Sequence, residues 1–377
     1  MADQRANSSA PGEPIRVLQL LDKTAIRDAS IHGVSRLVLR WWPAFLGTEI
    51  ELSLCVLRSR DAAAPVFSAA GVEPEYLGRG KLDPRAVFDI ARIVQRDRID
   101  ILHCHGYGAS NFGRLLRLRF GIPVIVHEHF VDKSLPPYQR IIDRILAPAT
   151  SSGLAVSNAV KEFLTGPRSV PRDRVQVLYN SVPKATARSS DPSGTSRGLR
   201  VGIVGRLDPV KGHVDFLAAA ARVIQTVADA EFWIVGDGEL ATELKSMAER
   251  LGLVEQVRFL GHCDDVPQLL GELDLLVACS HSEGFSLAAA EAMAHGLAVV
   301  GTDVGGIPEV VESGVTGILV PPGAPELLAD AIERLLANDE LRRKMGERGR
   351  ERADTHFSMG ATISRLRDLY RTLASVR

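Results

Sequence analysis

The chain has 377 residues, more than one hydrophobic core usually serves, so its length predicts two domains. Hydrophobic residues make up 45% and charged residues 24%, which is typical of a folded protein and excludes extensive disorder. The net charge is −1, with an excess of basic residues in the first half and of acidic residues in the second; with 5% aromatic residues and no basic-aromatic module, a nucleic-acid-binding function is excluded.

The amino-terminal residues and the cysteines bear on the compartment. Residues 1–14 are polar and contain Pro and Gly, which predicts a flexible leader, and the apolar run after them is too short for a signal or a membrane span. The four cysteines form no CxxC pair, so neither a zinc module nor a disulfide framework is predicted. We expect a soluble, cytoplasmic protein whose basic first half could face the inner side of a membrane.

Short β-like runs alternate with helical stretches over residues 15–182, which predicts a parallel sheet covered by helices. Residues 183–198 are rich in Pro, Ser and Gly and predict a linker. The alternation restarts over 199–360 and predicts a second doubly wound domain, followed by a helix over 361–377 that is expected to pack back on the first. Two such domains would face each other across a cleft formed by the carboxyl ends of their strands.

Histidines end two strands of the first domain, in the segments ILHCHG and PVIVHEHF. Such pairs suggest a metal site, but third and fourth ligands at a recognisable spacing are missing, so no metal is predicted. A helix between them carries Arg114, Arg117 and Arg119. A solvated cationic helix is the favoured interpretation of these arginines, and contact with anionic lipid is the alternative.

The second domain opens with VGIVGRLDPVKGH, a strand, a turn and a helix entry. Arg206 and Lys211 fall in its loop, and a guanidinium fork beside a mobile ammonium suits a diphosphate leaving group. Two surface cations in a polar loop are the plainer alternative. Since such cations can replace a divalent ion and no convincing DxD pair is present, we expect the site to work without metal.

A glycine pattern follows the next strand: Gly236, Gly238 and Ala241 match the GxGxxA fingerprint of dinucleotide-binding oxidoreductases. Asp237 and Glu239 would place two negative charges beside a pyrophosphate. We therefore keep an NAD-dependent oxidoreductase only as a distant alternative.

The segment SEGFSLAAAEAMAHG predicts a loop and a helix capped by Ser286. No capping-box side chain follows, so the first-turn amides are expected to be free for an anion. Glu283 and Glu291 lie eight residues apart and could hold hydroxyl groups at opposite ends of one ligand. An amphipathic helix with two solvated acids is the alternative.

These segments resemble the retaining glycosyltransferases of family 4, also called glycosyl transferases group 1. The family's ExxxxxxxE signature matches EGFSLAAAE, and its GRLxxxKG motif matches the loop that holds Arg206 and Lys211. Further similarity runs through IVGDGEL, VRFLG, GTDVGGIPEVV and GVTGILVPPG, so residues 200–330 are covered densely and the first half loosely. The resemblance implies the GT-B fold, an α/β architecture of two doubly wound Rossmann-like domains, with acceptor binding in the first and donor-nucleotide binding in the second.

The resemblance also implies roles for individual residues of the donor site. Arg206 and Lys211 would contact the donor diphosphate, Glu291 the ribose, and Glu283 the transferred sugar. The remaining implied donor contacts are the backbone of Gly284, Phe285 and Ser286 with the sugar, the amide of Leu287 with a phosphate and, at the level of the backbone, Arg258 with the base.

In the first domain, GIPVIVHEHF resembles the family segment whose histidine lies near the anomeric carbon, and the matching residue is His129. The family loop after the first strand carries paired glycines that approach the diphosphate; here only Gly33 remains, after His32, which puts the donor geometry there in question. Catalytic roles are thus implied for His129, Glu283, Arg206 and Lys211.

The expected function is transfer of a hexose-type unit from a nucleoside diphosphate sugar, a UDP-sugar above all, with retention and without a metal or other cofactor. The expected acceptor is a sugar, a lipid-linked compound or a small molecule, in the biosynthesis of a polysaccharide, glycolipid or glycoside. A nucleotide-sugar epimerase or a non-catalytic nucleotide-sugar-binding protein of related fold remains the alternative.

Overall fold

The computed structural model describes residues 13–26, 30–31, 33–132, 134–185, 198–263 and 265–375, without the side chains of 26 and 30. Most of the predicted leader over 1–14 and of the predicted linker over 183–198 lies outside the described residues, as does His32. The chain divides into two compact units: residues 1–179 with 360–377 form unit 1, and residues 180–359 form unit 2.

Unit 1 contains a sheet whose strands pair in parallel, in the order β5-β4-β1-β6-β7-β8-β9. Its strands are β1 (Ile15–Leu21), β4 (Ile50–Val56), β5 (Glu75–Tyr76), β6 (Ile101–His105), β7 (Val124–Glu128), β8 (Ser152–Ala155) and β9 (Val175–Val177), and β2 (Ala25–Ile26) pairs separately with β3 (Ser30–Ile31). Its helices are α1 (Gly33–Trp41), α2 (Ala64–Ala69), α3 (Arg85–Arg96), α4 (Tyr107–Phe120), α5 (Pro137–Leu146), α6 (Asn158–Thr165) and α14 (Met359–Ser375).

Unit 2 contains a second parallel sheet, in the order β12-β11-β10-β13-β14-β15. Its strands are β10 (Arg200–Val204), β11 (Glu231–Val235), β12 (Val257–Gly261), β13 (Leu275–Ala278), β14 (Ala298–Thr302) and β15 (Gly317–Val320). Its helices are α7 (His213–Val223), α8 (Ala241–Arg250), α9 (Val266–Glu272), α10 (Leu287–Ala294), α11 (Ile307–Val310), α12 (Pro325–Leu336) and α13 (Asp339–His356).

The apolar pattern of the sequence accounts for these layers. The central strands β6, β7 and β13 are buried along their whole length, as expected for parallel strands covered on both faces. The covering helices bury one stripe each: in α12, Leu328, Ile332 and Leu335 recur at helical spacing and belong to the core of unit 2. The predicted fold of two doubly wound α/β domains is confirmed.

Helix α14 follows unit 2 in the sequence but belongs to unit 1. Its buried residues include Leu366 and Tyr370, and Arg365 donates to the carbonyl of Val177 at 2.7 Å. None of the described helices combines the length and the apolar character needed to cross a membrane.

Candidate active site

The loop after β10 is a tight, self-capped turn. Asp208 accepts a hydrogen bond from the amide of Val210 at 3.1 Å, and its other oxygen lies 2.8 Å from the guanidinium of Arg206. The side chain of Arg206 remains half exposed, at 49%. Asp208 therefore fixes the backbone of the turn and also holds Arg206 at the carboxyl end of the sheet.

Gly212 brings this loop against the end of β13. It has a left-handed backbone, with φ of 74°, and a Cβ atom there would lie 2.0 Å from the carbonyl oxygen of Cys279. Any side chain at Gly212 would therefore strain its own backbone and collide with the backbone of Cys279. This close approach delivers Lys211 to the segment that follows β13.

Lys211 and Glu283, which belong to separate sequence motifs, meet at this point. The ammonium lies 2.5 Å from Oε2 of Glu283, and the hydroxyl of Ser280 donates to the same oxygen at 3.3 Å. The two charged side chains are 26% and 14% exposed. The contact compensates their charges while leaving part of the ammonium open to solvent or to a ligand.

Helix α10 begins beside this pair, at Leu287. The hydroxyl of Ser286 accepts the amide of Ala289 at 3.3 Å, so the expectation that every first-turn amide is free was wrong: the cap residue itself occupies one of them. Phe285 is buried against the ring of Phe357 at 5.3 Å between centroids, which leaves its backbone as the part that can contact a ligand.

The rest of the segment lies where the spacing predicts. Gly284 is buried in the loop before the helix, and Glu291, half-buried, lies within it. The amide of Gly306 donates to the carbonyl of Glu283 at 3.0 Å. This support from the loop after β14 was not found from the sequence; its one signal is Gly305, where a Cβ atom would lie 1.9 Å from the carbonyl oxygen of Glu283.

The structure does not bring the Arg258 side chain to this group. Arg258 points to the amino ends of the strands, where its guanidinium lies 3.4 Å from Glu231, the first residue of β11. Since the strands of unit 2 are parallel, these ends lie opposite the Lys211 loop. A contact through the backbone of Arg258 stays a prediction.

The glycine pattern after β11 has a packing role. A Cβ atom at Gly236 would lie 1.9 Å from the carbonyl oxygen of Gly205, and one at Gly238 would lie 2.4 Å from that of Leu207. The amide of Leu240, at the start of α8, donates to the carbonyl of Leu207 at 3.0 Å. The loop that holds Arg206 thus packs directly on these glycines, so close backbone packing accounts for the pattern.

Unit 1 holds a cluster of histidines at the carboxyl ends of β6 and β7. Nε2 of His129, half-buried, lies 2.9 Å from Nδ1 of His105, whose Nε2 lies 3.0 Å from the amide oxygen of Gln19. Nε2 of His103 lies 3.1 Å from Nδ1 of His127. Residues two apart on neighbouring parallel strands thus form one cluster of aromatic rings.

Three of these rings, those of His103, His105 and His127, offer nitrogens that lie within 4.8 Å of one another. The spacing within each segment did not reveal this group because the third nitrogen comes from the neighbouring strand. Burial lowers the pKa of His103 and of His127 well below the ordinary value, and the nearby histidines act in the same direction. Both rings are therefore neutral at pH 7.

Gly33 is the first residue of α1 and is exposed. No heavy atom lies within 4 Å of the position that a Cβ atom would take there. Packing therefore does not require glycine at this position, and its contact with a donor stays a prediction.

A buried ion network anchors the residue that precedes His129. Glu128 pairs with Arg168, which lies 2.6 Å from Asp143, and Asp143 in turn lies 2.6 Å from Arg114. All four side chains are at most 3% exposed. Mutual charge compensation makes this burial possible.

The network corrects the interpretation of α4 as a solvated or lipid-facing cationic helix at one of its three arginines. Arg114 is fully buried, whereas Arg117 is half-buried and donates to the hydroxyl of Ser151, and Arg119 is exposed as expected. The exposed apolar side chains on the neighbouring α5 include Ile141 and Ile145, which the sequence interpretation did not single out.

Two family models match the chain: Glycosyltransferase Family 4 over residues 31–185 and Glycosyl transferases group 1 over residues 193–352. An uncharacterized glycosyltransferase of Methanocaldococcus jannaschii is 30% identical over 75% of this chain and 78% of its own length. The chain belongs to glycosyltransferase family 4. This membership confirms the predicted family and sets the epimerase and oxidoreductase alternatives aside.

Other relatives of this family 4 glycosyltransferase include N-acetyl-α-D-glucosaminyl L-malate synthase of Bacillus anthracis, 29% identical over 74% of this chain and 77% of the relative. Alpha-D-kanosaminyltransferase of Streptomyces kanamyceticus is 26% identical over 94% of this chain and 100% of the relative.

Solved structures confirm that the family 4 glycosyltransferase has the GT-B fold. Anabaena HepE in complex with UDP-glucose superposes with a TM-score of 0.79 at 22% identity, over 95% of this chain and 100% of that one. Sucrose-phosphate synthase from Thermosynechococcus elongatus superposes with a TM-score of 0.82 at 20% identity, over 96% and 100%.

Proposed function

We propose that this family 4 glycosyltransferase transfers a hexose-type unit from a nucleoside diphosphate sugar to a sugar, a lipid-linked compound or a small molecule, with retention of anomeric configuration. The contact between Lys211 and Glu283 carries the proposal, because it places a cation for the diphosphate next to an acceptor of sugar hydrogen bonds. A UDP-sugar is the donor we favour, since HepE of the same fold was solved with UDP-glucose.

The chemistry of the Lys211 ammonium suits this role. An ammonium has three N–H donors, and Glu283 engages one of them, so Lys211 can hold Glu283 and a phosphate oxygen together. Arg206, held by Asp208 and half exposed, supplies a second cation to the same loop. Charge that develops on the departing diphosphate is stabilised by both.

The other proposed donor contacts follow the sequence match. Glu283 and the backbone of Gly284, Phe285 and Ser286 would hold the sugar. Leu287 would add an amide for a phosphate, Glu291 would hold the ribose, and the backbones of Gly33 and Arg258 would complete the set. His129 would hydrogen-bond the sugar or the acceptor.

Retention without a protein nucleophile is supported by the state of Glu283. Its Oε2 already accepts from Lys211 and Ser280, which lowers its nucleophilicity. The departing phosphate oxygen would instead help to deprotonate the acceptor on the same face of the sugar. The test is incubation with UDP-sugars and candidate acceptors, followed by NMR of the product's anomeric proton. An inverted product would overturn retention, and no transfer from any nucleotide sugar would overturn the proposed donor class.

Metal independence is the second part of the proposal. Arg206 and Lys211 already supply positive charge of the kind that a divalent ion brings to a diphosphate. We expect EDTA treatment to leave the transfer rate unchanged in the same assay. A rate abolished by EDTA and restored only by Mg²⁺ or Mn²⁺ would contradict this expectation and direct attention to Asp208, Asp265 and Asp303, and to Asp264 outside the described residues.

A further inference from the structure

The hydrogen bonds that reach His129 run in one direction, because the amide of Gln19 has a fixed donor and a fixed acceptor. Its nitrogen donates to the hydroxyl of Tyr370 at 3.1 Å, and its oxygen faces Nε2 of His105 at 3.0 Å. His105 must then carry its proton on Nε2. In the neutral form of His105, Nδ1 is left as an acceptor, and His129 donates to it from Nε2 at 2.9 Å.

The second half of this chain of hydrogen bonds starts at Tyr370. Its oxygen accepts from Gln19, so its O–H donates to Nδ1 of His103 at 2.7 Å. His103, neutral because it is buried, then carries its proton on Nε2 and donates to Nδ1 of His127 at 3.1 Å. The chain ends at Nε2 of His127, a buried nitrogen with no hydrogen-bond partner among the described residues.

All the residues joined by these hydrogen bonds belong to unit 1, although Gln19 and Tyr370 are 351 positions apart in the sequence. Gln19 and Tyr370 are 1% and 0% exposed, so water does not compete for their hydrogen bonds. The ring of Trp41 stacks on His127 with centroids 5.8 Å apart and closes the cluster on one side.

We propose that Gln19 and Tyr370 are positioning residues that set the direction of the hydrogen bond between His129 and His105, so that His129 carries a proton on Nε2 and donates it to Nδ1 of His105. Any action of His129 on the substrate rests on the proposed function, and the direction of this hydrogen bond does not. If Gln19 were turned by 180°, every donor would become an acceptor, and all four histidines would change tautomer together.

The test is long-range ¹H–¹⁵N NMR of the full chain labelled at histidine, which reports which ring nitrogen carries the proton. In the native protein we expect the Nε2–H pattern for His103, His105, His127 and His129. Gln19→Leu and Tyr370→Phe each interrupt the chain, and in both we expect His129 to lose its single-tautomer pattern.

Phe45→Leu is the matched control. The ring of Phe45 packs on Tyr370 with centroids 6.0 Å apart and is 3% exposed, but it makes no hydrogen bond in the chain. This variant disturbs the packing around Tyr370 and should keep both the Nε2–H pattern and the transfer rate. If the tautomer of His129 changes as much in Phe45→Leu as in Tyr370→Phe, packing and not the hydrogen bond is responsible, and the proposal fails.

Three other results would overturn the proposal: an Nδ1–H pattern in the native protein, a pattern for His129 that survives both interruptions, or one tightly held metal ion per chain. A metal would use the nitrogen lone pairs of His103, His105 and His127 that the chain needs. Circular dichroism of each variant establishes whether it is folded. If Tyr370→Phe is not folded, Gln19→Leu alone provides the test.

The role of His129 is tested separately by kinetics. If His129 acts on the substrate, Gln19→Leu and Tyr370→Phe should lower kcat with little change in the donor KM. A His129→Asn variant with full activity, together with the expected NMR changes, would remove His129 from the proposed function and leave the tautomer assignment standing.

Discussion

Lys211 and Glu283 lie 72 positions apart in the sequence and share one short hydrogen bond. We expect Lys211→Ala to lower kcat about a hundredfold, equivalent to roughly 3 kcal/mol, because the ammonium stabilises the departing diphosphate. The substitution also leaves Glu283 negative beside the donor, which acts in the same direction. Steady-state kinetics against Lys245→Ala, an exposed lysine of α8, provides the measurement and its control. An unchanged kcat in a folded Lys211→Ala variant would remove Lys211 from the site.

His213, the first residue of α7, gives unit 2 a sensitivity to acid. It is 1% exposed, its ring nitrogens have no hydrogen-bond partner among the described residues, and burial, with Lys211 adding to the effect, lowers its pKa from 6.5 to about 4. His213 therefore takes up a proton at a lower pH in the folded state than in the unfolded state. As a result, the free energy of unfolding falls as the pH drops from about 6.5 towards 4.

His213→Leu should remove this dependence. Relative to the native protein, the free energy of unfolding should rise by about 2–3 kcal/mol more at pH 4.5 than at pH 7. Urea unfolding at the two values measures it, with the exposed His356→Leu as control. Parallel pH profiles for native protein and His213→Leu would show that His213 is not the titrating group.

Lys211 and Glu283, the predicted site residues that the structure brings into contact, both lie in segments that follow the carboxyl ends of strands. The strand-loop-helix pattern places Lys211 and Glu283 at the same edge of a parallel sheet, so their proximity could be predicted. Arg258 lies within its strand, and a sequence does not tell to which end a long side chain turns. Gln19 and Tyr370 could not be found either, because their pairing exists only after distant elements have packed.

At the scale of elements, the ion network ties α4 and α5 to the residue before His129. Asp143→Asn would leave Arg114 and Arg168 buried with one carboxylate fewer, and we expect a loss of about 3–5 kcal/mol in the free energy of unfolding. Urea unfolding provides the measurement. The matched control is Glu162→Gln, which breaks an exposed pair with Arg172 and should cost less than about 1 kcal/mol. Equal losses in both variants would show that burial does not set the strength of the network.

Helix α4 shows what the sequence pattern predicts about a helix and what it does not. The apolar periodicity indicates that α4 exists, and Leu116 lies on its buried face. Arg114 lies on that face too, because Asp143 of α5 is there to neutralise it. Hydrophobicity alone assigns every arginine to the solvent, so a buried pair can be recognised only when both partners are placed.

At the scale of the whole molecule, unit 1 is built from two separate parts of the sequence, since its last helix follows unit 2 in the chain. Leu366 of α14 is fully buried and belongs to unit 1, whereas Leu335 of α12 is fully buried in unit 2. Leu366→Ala should destabilise unit 1 by about 2–5 kcal/mol, and Leu335→Ala should do the same to unit 2. Amide hydrogen exchange should show lost protection in β1 and β6 for the first variant and in β10 and β13 for the second. Loss in β10 and β13 from Leu366→Ala would contradict the assignment of α14.

The position of α14 also has a consequence during translation. Unit 1 begins with β1, but the helix that carries Tyr370 is made only after all of unit 2 has been synthesised. At ribosomal rates of roughly 5–20 residues per second, these 180 residues delay it by on the order of ten seconds or more. Throughout that interval Gln19 and His103 lack their tyrosine partner. The hydrogen bonds that join the first strand of unit 1 to its last helix can therefore form only when synthesis has passed Tyr370.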